Sequence, residues 1–378
     1  MIIAGGGVGG LCLAQGLQKA GISATVYERD QSAGFRRQGY RISLKPTGAG
    51  ALHECLPAHL FDLAVATSIR TATRMVFLDE QLYPKLDKPL LHDRPGPGGF
   101  GVNRLTLREI LLAGLDVAFG KTFTGYSPAP DGRVTAHFAD GTSAVGDLLA
   151  GADGTGSAVR RQLLPGAVID QLGWAIYGRT PFADWVPGVL VDTFNQINGP
   201  GEIGMSVATC RALEPVASAT ARLAPSARLT DIPGYFSWTL PLTDPRLFEA
   251  GDVSLHRAAA RLVEGWHPAV RRIIAEADVP ATFGVCITSA QPVAPWSGPN
   301  VTLLGDAIHT MSPGRGDGAN IALKDAQILV RALRRTASGT ASLASAIREY
   351  EAEMLQYGFQ AVADSRDKPL MRMAQRQR

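Results

Sequence analysis

Near the start of the chain, Gly5-Gly6-Gly7-Val8-Gly9-Gly10 satisfies G-x-G-x-x-G, and its surroundings restrict the fold more than any other stretch. An apolar run, Met1 to Ala4, precedes it and reads as a short strand. A helical pattern follows through Leu11, Leu13, Ala14, Leu17 and Ala20. Gly21 closes that helix, and Ile22 to Tyr27 read as a second strand ending at Glu28, 18 residues beyond Gly10. A carboxylate about 20 residues past the glycines is placed to accept ribose hydroxyls. The glycines permit a tight turn, the close approach of a pyrophosphate and the packing of helix on strand. Strand, helix and acid together predict a dinucleotide site, without separating FAD from NAD.

A second informative stretch runs from Leu303 to Asn320. Val301 to Leu304 reads as a buried strand, and it ends at Gly305-Asp306. A Pro/Gly-rich loop follows, then a helix that opens on glycines and continues through Ala319, Leu323, Ala326 and Leu329. A helix N-terminus carries unsatisfied N–H groups and partial positive charge, so so bare a backbone can approach an anionic ligand closely. Two look-alikes carry nothing. Gly96-Pro97-Gly98-Gly99-Phe100-Gly101 also matches G-x-G-x-x-G, but His92-Asp93-Arg94-Pro95 precedes it instead of a strand, so it reads as a loop. Arg315-Gly316-Asp317 spells an adhesion tripeptide with no extracellular feature around it.

Composition narrows the class. At 378 residues the chain is long for one core and suggests roughly two domains. A net charge of +3, from 37 basic and 34 acidic residues, provides no dominant field for nucleic acid. Cys12, Cys55, Cys210 and Cys286 include no C-x-x-C pair and read as free thiols of a reducing compartment. No apolar run approaches the roughly 18–20 residues of a membrane span. The apolar start lacks a basic n-region and serves the first strand, so the expected location is cytoplasmic. The histidines do not cluster with cysteines or acids at metal-ligand spacing, and no metal is expected. There is neither a G-x-S-x-G nor a Walker-type motif.

With these motifs in view, the chain resembles the class A flavoprotein monooxygenases, the aromatic hydroxylases of the p-hydroxybenzoate hydroxylase type. Three separated elements carry the resemblance. They are the glycine fingerprint with Glu28, the D-G-x-x-S-x-x-R element from Asp153 to Arg160, and G-D-A-x-H-x-x-x-P-x-x-G-x-G-x-N from Gly305 to Asn320, followed by Asp325. Val102 to Arg108 is a further match, where the family has an arginine near the flavin. The resemblance implies an α/β fold: a Rossmann-like (GR2-type) FAD-binding domain, an inserted, mainly antiparallel β-sheet substrate domain, and a C-terminal helix. On that reading residues 1–72, 99–170 and 281–335 form the FAD-binding domain, 73–98 and 171–280 the substrate-binding domain, and 336–378 a helical tail that frays beyond Arg366. Arg74–Leu78, Gly173–Thr180, Val189–Phe194, Ile203–Cys210 and Tyr235–Leu240 read as strands. Residues 212–233 read as connection.

The activity implied is NAD(P)H- and O2-dependent hydroxylation, or other oxygenation, of an aromatic or polycyclic small molecule through a flavin C4a-hydroperoxide. FAD would be bound, and NADPH or NADH would be a transient reductant along a groove, since only one credible nucleotide fingerprint is present. The cofactor residues implied are Gly5, Gly7, Val8, Gly9 and Gly10 at the first turn, and Glu28 with Arg29 at the ribose. Arg104 and Arg37 or Arg41 would position pyrophosphate or flavin. Asp153 would lie near the pyridine-nucleotide or flavin groove, with a structural turn role an equal alternative. Asp306 would accept from ribityl or flavin-chain hydroxyls, and Gly316, Gly318, Ala319 and Asn320 would open the helix that faces the ring. Pro313 would shape the oxygen pocket. No side chain is expected to be catalytic in itself, and His309 reads as a hydrogen-bonded structural residue before it reads as a base.

Trp174, Tyr177, Phe182, Trp185, Phe194, Met205, Tyr235, Phe236 and Trp238 could wall a pocket, though any one is more readily core. Two alternatives keep the flavin. One is a flavin-dependent halogenase, from Phe236-Ser237-Trp238-Thr239-Leu240-Pro241 and a lysine at Lys85. The other is a flavoprotein that binds a ligand without turnover. The expected partners are the aromatic substrate and O2, with no nucleic acid and no membrane, in a monomer or homodimer.

Overall fold

A computed structural model describes residues 1–32, 34, 40–90, 96–249, 251–296, 298 and 300–366 of the chain. Arg37, the segment 91–95 before the second glycine pattern, and the tail from 367 onward lie outside the described residues.

Five short strands form a wholly parallel sheet in the order Val301–Leu303, Leu149–Gly151, Ile2–Ala4, Thr25–Glu28, Val117–Phe119. Ile2, Ile3, Ala4, Leu149, Ala150, Val301 and Leu303 are buried, as expected of a parallel sheet covered on both faces. The first helix, Val8–Lys19, and the long helix, Gly318–Ala337, pack on it through Leu11, Leu17, Leu323 and Leu329. The chain leaves Ile2–Ala4 toward Thr25–Glu28 on one side and returns to Leu149–Gly151 on the other. At such a reversal a crevice opens outside the carboxyl ends of the strands. Ala4 is level with Gly151 and Tyr27, and Gly151 with Leu303, so the three strand exits share one edge.

A second sheet has seven strands in the order Phe283–Ala290, Ile169–Pro181, Tyr235–Pro241, Gly204–Cys210, Thr193–Asn198, Arg74–Asp79, Pro84–Pro89. Every pairing is antiparallel except Thr193–Asn198 with Arg74–Asp79. Side chains alternate in strands, and one face carries Ile176, Met205, Val207, Phe236, Trp238 and Leu240 into a core under the helices Asp252–Leu262 and Pro268–Ala275. The Trp238 indole N–H donates to the Thr180 hydroxyl (3.1 Å), which donates to the Ile273 carbonyl (2.6 Å). Gly178 is bare because the Trp238 ring crosses it; a Cβ there would lie 2.0 Å from the ring.

The Rossmann-like α/β architecture, the mainly antiparallel second sheet and the C-terminal helix agree with what the sequence implies. Two local expectations need correction. Residues 212–233 are not all connection: Val216–Leu223 is helical, with Val216 and Ala219 buried. Val189–Phe194 is not one strand: a single 3-10 turn spans Gly188–Leu190, Asp192 takes a left-handed conformation (φ 54°), and the strand begins at Thr193. A strand cannot run through that backbone, whatever its apolar content.

The C-terminal helix, Leu343–Arg366, lies against the edge strand of the parallel sheet, where the Tyr350 hydroxyl donates to the Leu303 carbonyl (2.9 Å). Glu351 on the same helix is buried. Its Oε1, the Thr302 hydroxyl and the Trp296 indole N–H come close without meeting hydrogen-bond geometry. Burial pushes the Glu351 carboxyl up to about 7. A group raised this way contributes fully below its unfolded value, near 4.3, and that contribution is lost as pH rises through the folded value. Thermal unfolding should therefore show wild type losing roughly 2–3 kcal/mol between pH 5 and 8 that Glu351→Gln does not lose. Parallel pH profiles for the two proteins would contradict this.

Candidate functional site

The first glycine turn is shaped by what it touches. Gly5 has φ of 112°, and a Cβ there would lie 2.3 Å from the Ala152 carbonyl oxygen. At Gly10 a Cβ would stand 2.2 Å from the Gly5 oxygen, and at Gly9 3.2 Å from the Ala322 oxygen of the long helix. Gly7 differs: a Cβ there meets nothing within 4 Å, so its bare face looks into open space. Gly7 also precedes the first helix without any side-chain cap, and no acid follows in the first turn. The N–H groups of that turn are thus left for an anion. Glu28 closes the turn from the side, accepting from Gly6 N (2.5 Å) and Asp30 N (2.8 Å). A carboxylate has about four acceptor positions, so capacity for ribose hydroxyls remains. Beside it, Arg108 pairs with Asp30 (3.0 Å) and lies 3.9 Å from Glu28, while Arg29 points to solvent.

A second uncapped helix start opens at the same edge. Gly9 abuts Ala322 and Gly16 abuts Val330, so the first and long helices run side by side in the same direction. The long helix begins at Gly318 with no side-chain cap and no acid in its first turn. Asp317, just before it, is held by Lys45 and by Arg315 (3.1 Å). Gly316 takes a left-handed conformation (φ 67°), which its lack of a side chain allows, while Pro313 is exposed and Ala319 partly so. Asn320 is spent inside the protein: its carbonyl oxygen accepts from Lys45 N (2.8 Å), and its amide donates to Ser43 O (2.9 Å) and Gly316 O (2.8 Å). That role fixes the loop and does not require contact with a ligand.

Asp306 follows Gly305 at the strand exit, with Oδ1 3.9 Å from where a Gly318 Cβ would stand. Its carboxylate is open to solvent, yet the atoms crowded around it desolvate it enough to raise its pKa, a combination found at a crevice floor. Asp325 pushes in the same direction, and His309 and Arg104 oppose it. Arg104, at the start of the helix Arg104–Leu112, is exposed at this crevice.

Behind the crevice lies a network centred on the buried Asp325 and His309 that the motifs only hinted at. Asp325 accepts from Gly305 N (2.7 Å), His309 Nε2 (2.7 Å) and the Tyr357 hydroxyl (2.6 Å). Burial alone would lower the His309 pKa; the Asp325 carboxylate, with Asp306 beyond it, overrides that and raises it. Gly358 of the C-terminal helix lets the backbone pass over His309, where a Cβ would stand 2.7 Å from the ring. His309 is thus clamped away from the crevice, as a structural residue would be.

The Asp153 loop leaves the neighbouring strand. Asp153 Oδ2 caps the helix Ala158–Leu163 by accepting from Ala158 N (2.7 Å) and Val159 N (3.3 Å), and its buried Oδ1 has no partner. Arg160 ties this loop to the Asp306 loop, donating to Thr155 O (2.7 Å) and Ala307 O (2.7 Å). Arg160 closes the D-G-x-x-S-x-x-R element and Arg108 the Val102–Arg108 match, but sequence reasoning gave neither of them, nor Tyr357, a role at the site. The recoverable signal was for Arg108, one helical turn after Arg104 and close in space to Glu28.

The seven-stranded sheet turns its other face outward. Across it Phe283, Tyr177, Thr239, Ser206, Gln196 and Phe77 form one continuous row, each directly opposite the next. All six are partly exposed, while the alternate residues are core. Tyr40 packs on this row against Phe283 (4.7 Å between ring centres) and Tyr177 (6.0 Å). Of the aromatics noted in the sequence, Tyr177, Phe194 and Tyr235 share this face, whereas Met205, Phe236 and Trp238 are core. Trp174 packs on Phe248, Phe182 on Phe236, and Trp185 under Arg272. Asn103, at the end of the strand Phe100–Asn103 that pairs antiparallel with Arg41–Leu44, reaches this face by donating to the Tyr235 hydroxyl (2.9 Å). A cavity of about 300 Å³ lined by Arg70, Phe182, Arg211, Val216, Ile232 and Gly234 lies beyond the Tyr235 end.

The halogenase reading loses both its supports. Trp238 is enclosed in the core, and Lys85 sits on the outermost strand, exposed and paired with Asp79 (2.8 Å).

Fold and site together define a nucleotide-cofactor protein with a second sheet set over the cofactor edge. The model of the FAD binding domain matches residues 254–365, and that of the NAD(P)-binding Rossmann-like domain matches residues 3–72. The chain is 31% identical to the FAD-dependent urate hydroxylase of Klebsiella pneumoniae, over 93% of this chain and 85% of that protein. It is 31% identical to the dual O-methyltransferase/FAD-dependent monooxygenase CTB3 of Cercospora beticola, over 94% of this chain but only 44% of that longer protein. A solved structure of a candidate FAD-containing monooxygenase from Photorhabdus luminescens superposes with a TM-score of 0.82 at 30% identity, covering 99% of this chain and 97% of that one. The chain belongs to the FAD-dependent monooxygenases, and FAD is its cofactor. Among the described residues no helix is long and apolar enough to cross a membrane.

The contrast between Gly5 and Gly7 gives a direct test. Gly7→Ala introduces a methyl group into open space and should change stability by less than about 1 kcal/mol, while weakening FAD binding about tenfold or more. Gly5→Ala should cost several times that in stability, through positive φ and a clash with Ala152. Thermal melts and flavin-fluorescence titrations read both. Gly7→Ala with wild-type FAD affinity would mean that the pyrophosphate does not lie at this turn.

Proposed function

We propose that the chain is a monooxygenase that takes electrons from NADPH or NADH and uses O2 to hydroxylate, or otherwise oxygenate, an aromatic or polycyclic small molecule. One observation carries this reading: two uncapped helix starts converge on one crevice edge, beside a sheet face of aromatic and hydroxyl side chains left partly exposed. Bound FAD supplies the reduction and oxygen chemistry, and the protein binds, orients and excludes water.

The first turn, Gly7 to Gly10, would hold the pyrophosphate, and Glu28 the adenosine ribose. Asp306 would accept from the flavin-chain hydroxyls. The start of the long helix would set its positive field against negative charge that develops on the ring, with Pro313 and Gly316 shaping the space beside it. Asp153, with one oxygen unpartnered, has capacity for a donor from the reductant or the flavin. Tyr177, Thr239, Ser206 and Phe77 would receive the substrate's ring. We take residues 1–72, 99–170 and 281–335 as the FAD-binding domain, and 73–98 with 171–280 as the substrate-binding domain. The enzyme would be cytoplasmic, acting as a monomer or homodimer.

Urate hydroxylase, by its name, acts on a heteroaromatic ring, which supports an aromatic substrate here. The test is NAD(P)H oxidation by the purified yellow protein with a panel of phenols and heteroaromatics, with products read by mass. An NAD(P)H oxidation rate that no compound stimulates, with no product 16 mass units heavier, would favour ligand binding without turnover.

Residue roles are tested in the same assay. Glu28→Gln should weaken FAD about ten- to a hundredfold, from the loss of a charge-assisted acceptor, and excess FAD should restore most turnover. Asp306→Ala should lose turnover that saturating FAD does not recover. Full rescue of Asp306→Ala would remove it from the reactive end of the flavin.

A further inference from the structure

The acid beside the long helix does not act as an acid at that position usually does. An aspartate immediately before a helix ordinarily accepts from N–H groups of the first turn. Asp317 holds that position ahead of Gly318–Ala337, yet its side chain makes no cap hydrogen bond. One carboxylate oxygen goes instead to the Lys45 ammonium and the other to Arg315 Nε (3.1 Å). The carboxylate is mostly buried, so it is held aside in a fixed place.

The two cations differ in reach. Arg315 lies two residues away on the same loop and is exposed, and a local surface pair of that kind contributes little. Lys45 comes from a distant part of the chain, just ahead of the helix Pro46–Cys55. Its backbone is pinned to the long helix, since its N–H donates to Asn320 Oδ1 (2.8 Å). Gly48 packs over the same oxygen so closely that a Cβ there would stand 2.3 Å from it. The long helix thus anchors the lysine that restrains the acid at its own start.

We propose that Lys45 is a positioning residue: by holding Asp317 aside, it keeps the first-turn N–H groups of the long helix open to the flavin ring. The inference rests on the reading that places the ring at this helix start. Without the ammonium, Asp317 is left either to cap the helix, consuming those N–H groups, or to stand unpaired beside the ring. Both outcomes oppose negative charge on the reduced ring and leave the neutral oxidised ring nearly untouched.

The experiment measures the two-electron reduction potential of bound FAD against a reference dye, together with the affinity of the apoprotein for oxidised FAD. No substrate or turnover enters. Lys45→Met should keep oxidised FAD within about threefold and hold reduced FAD about tenfold less tightly, a fall of about 30 mV in potential. Lys45→Arg, which retains a cation, should stay near wild type. Lys45→Met combined with Asp317→Ala should return to within about twofold of wild type, because no acid is left to restrain. A double variant as low as Lys45→Met would overturn the proposal, since the lysine would then act through its own charge. Asp317→Ala alone locates the ring, because removing the acid should raise the potential. If it does so while Lys45→Met matches wild type, the proposal fails and the ring's placement stands. If neither variant moves the potential, the ring lies elsewhere and the proposal falls with that reading. The expected shifts in a protein that forms no oxygenated product would remove the proposed activity and leave the role of Lys45 standing.

Discussion

Parallel pairing of Ile2–Ala4 with a neighbour on each side is the constraint from which the site follows. It brings loops separated by some 300 residues of sequence to one edge, because parallel strands must all end on the same side. The approach of Gly5 to Ala152 is so close that only a bare backbone fits. Gly9 and Gly305, pressed against Ala322, do the same for the long helix. The turn, the Asp153 loop and the Asp306 loop are thus one packed unit.

Electrostatics divides this unit into a closed interior and an open edge. Inside, charges are matched: His309 with Asp325, and Arg108 with Asp30. Asp325 also fixes Gly305, so the acid that never meets the crevice determines where Asp306 stands. At the edge, neither helix has an acid in its first turn or a side-chain cap hydrogen bond, and their partial charges remain available. The C-terminal helix contributes from outside, through Tyr357 on Asp325 and Tyr350 on the Leu303 carbonyl.

How much of this was legible in the sequence depended on the range of the physics. The first turn, Glu28 and the Gly318 helix were readable because each is a local pattern of strand, bare loop and helix. Asn320 stood in the motif, but its amide is consumed by Ser43, Lys45 and Gly316, partners that only the fold brings near. The aromatics of the middle region could not be sorted beforehand. Period-2 alternation fixes that Tyr235 and Phe236 face opposite ways, but which way is outward is decided by the helices Asp252–Leu262 and Pro268–Ala275 covering one face. The strand expected at Val189–Phe194 failed on backbone conformation at Asp192, which composition does not encode.

The central claim is that a single FAD spans this edge, with its adenosine end at the first helix and its ring at the long one. Crystallisation of the FAD-bound protein tests it most directly. The account expects electron density for the pyrophosphate within hydrogen-bond reach of the first turn, Gly7 to Gly10, with the ring between the Gly316–Gly318 loop and the face bearing Tyr177 and Thr239. Density with the ring turned away from that face, or with the pyrophosphate elsewhere than at the first turn, would contradict it.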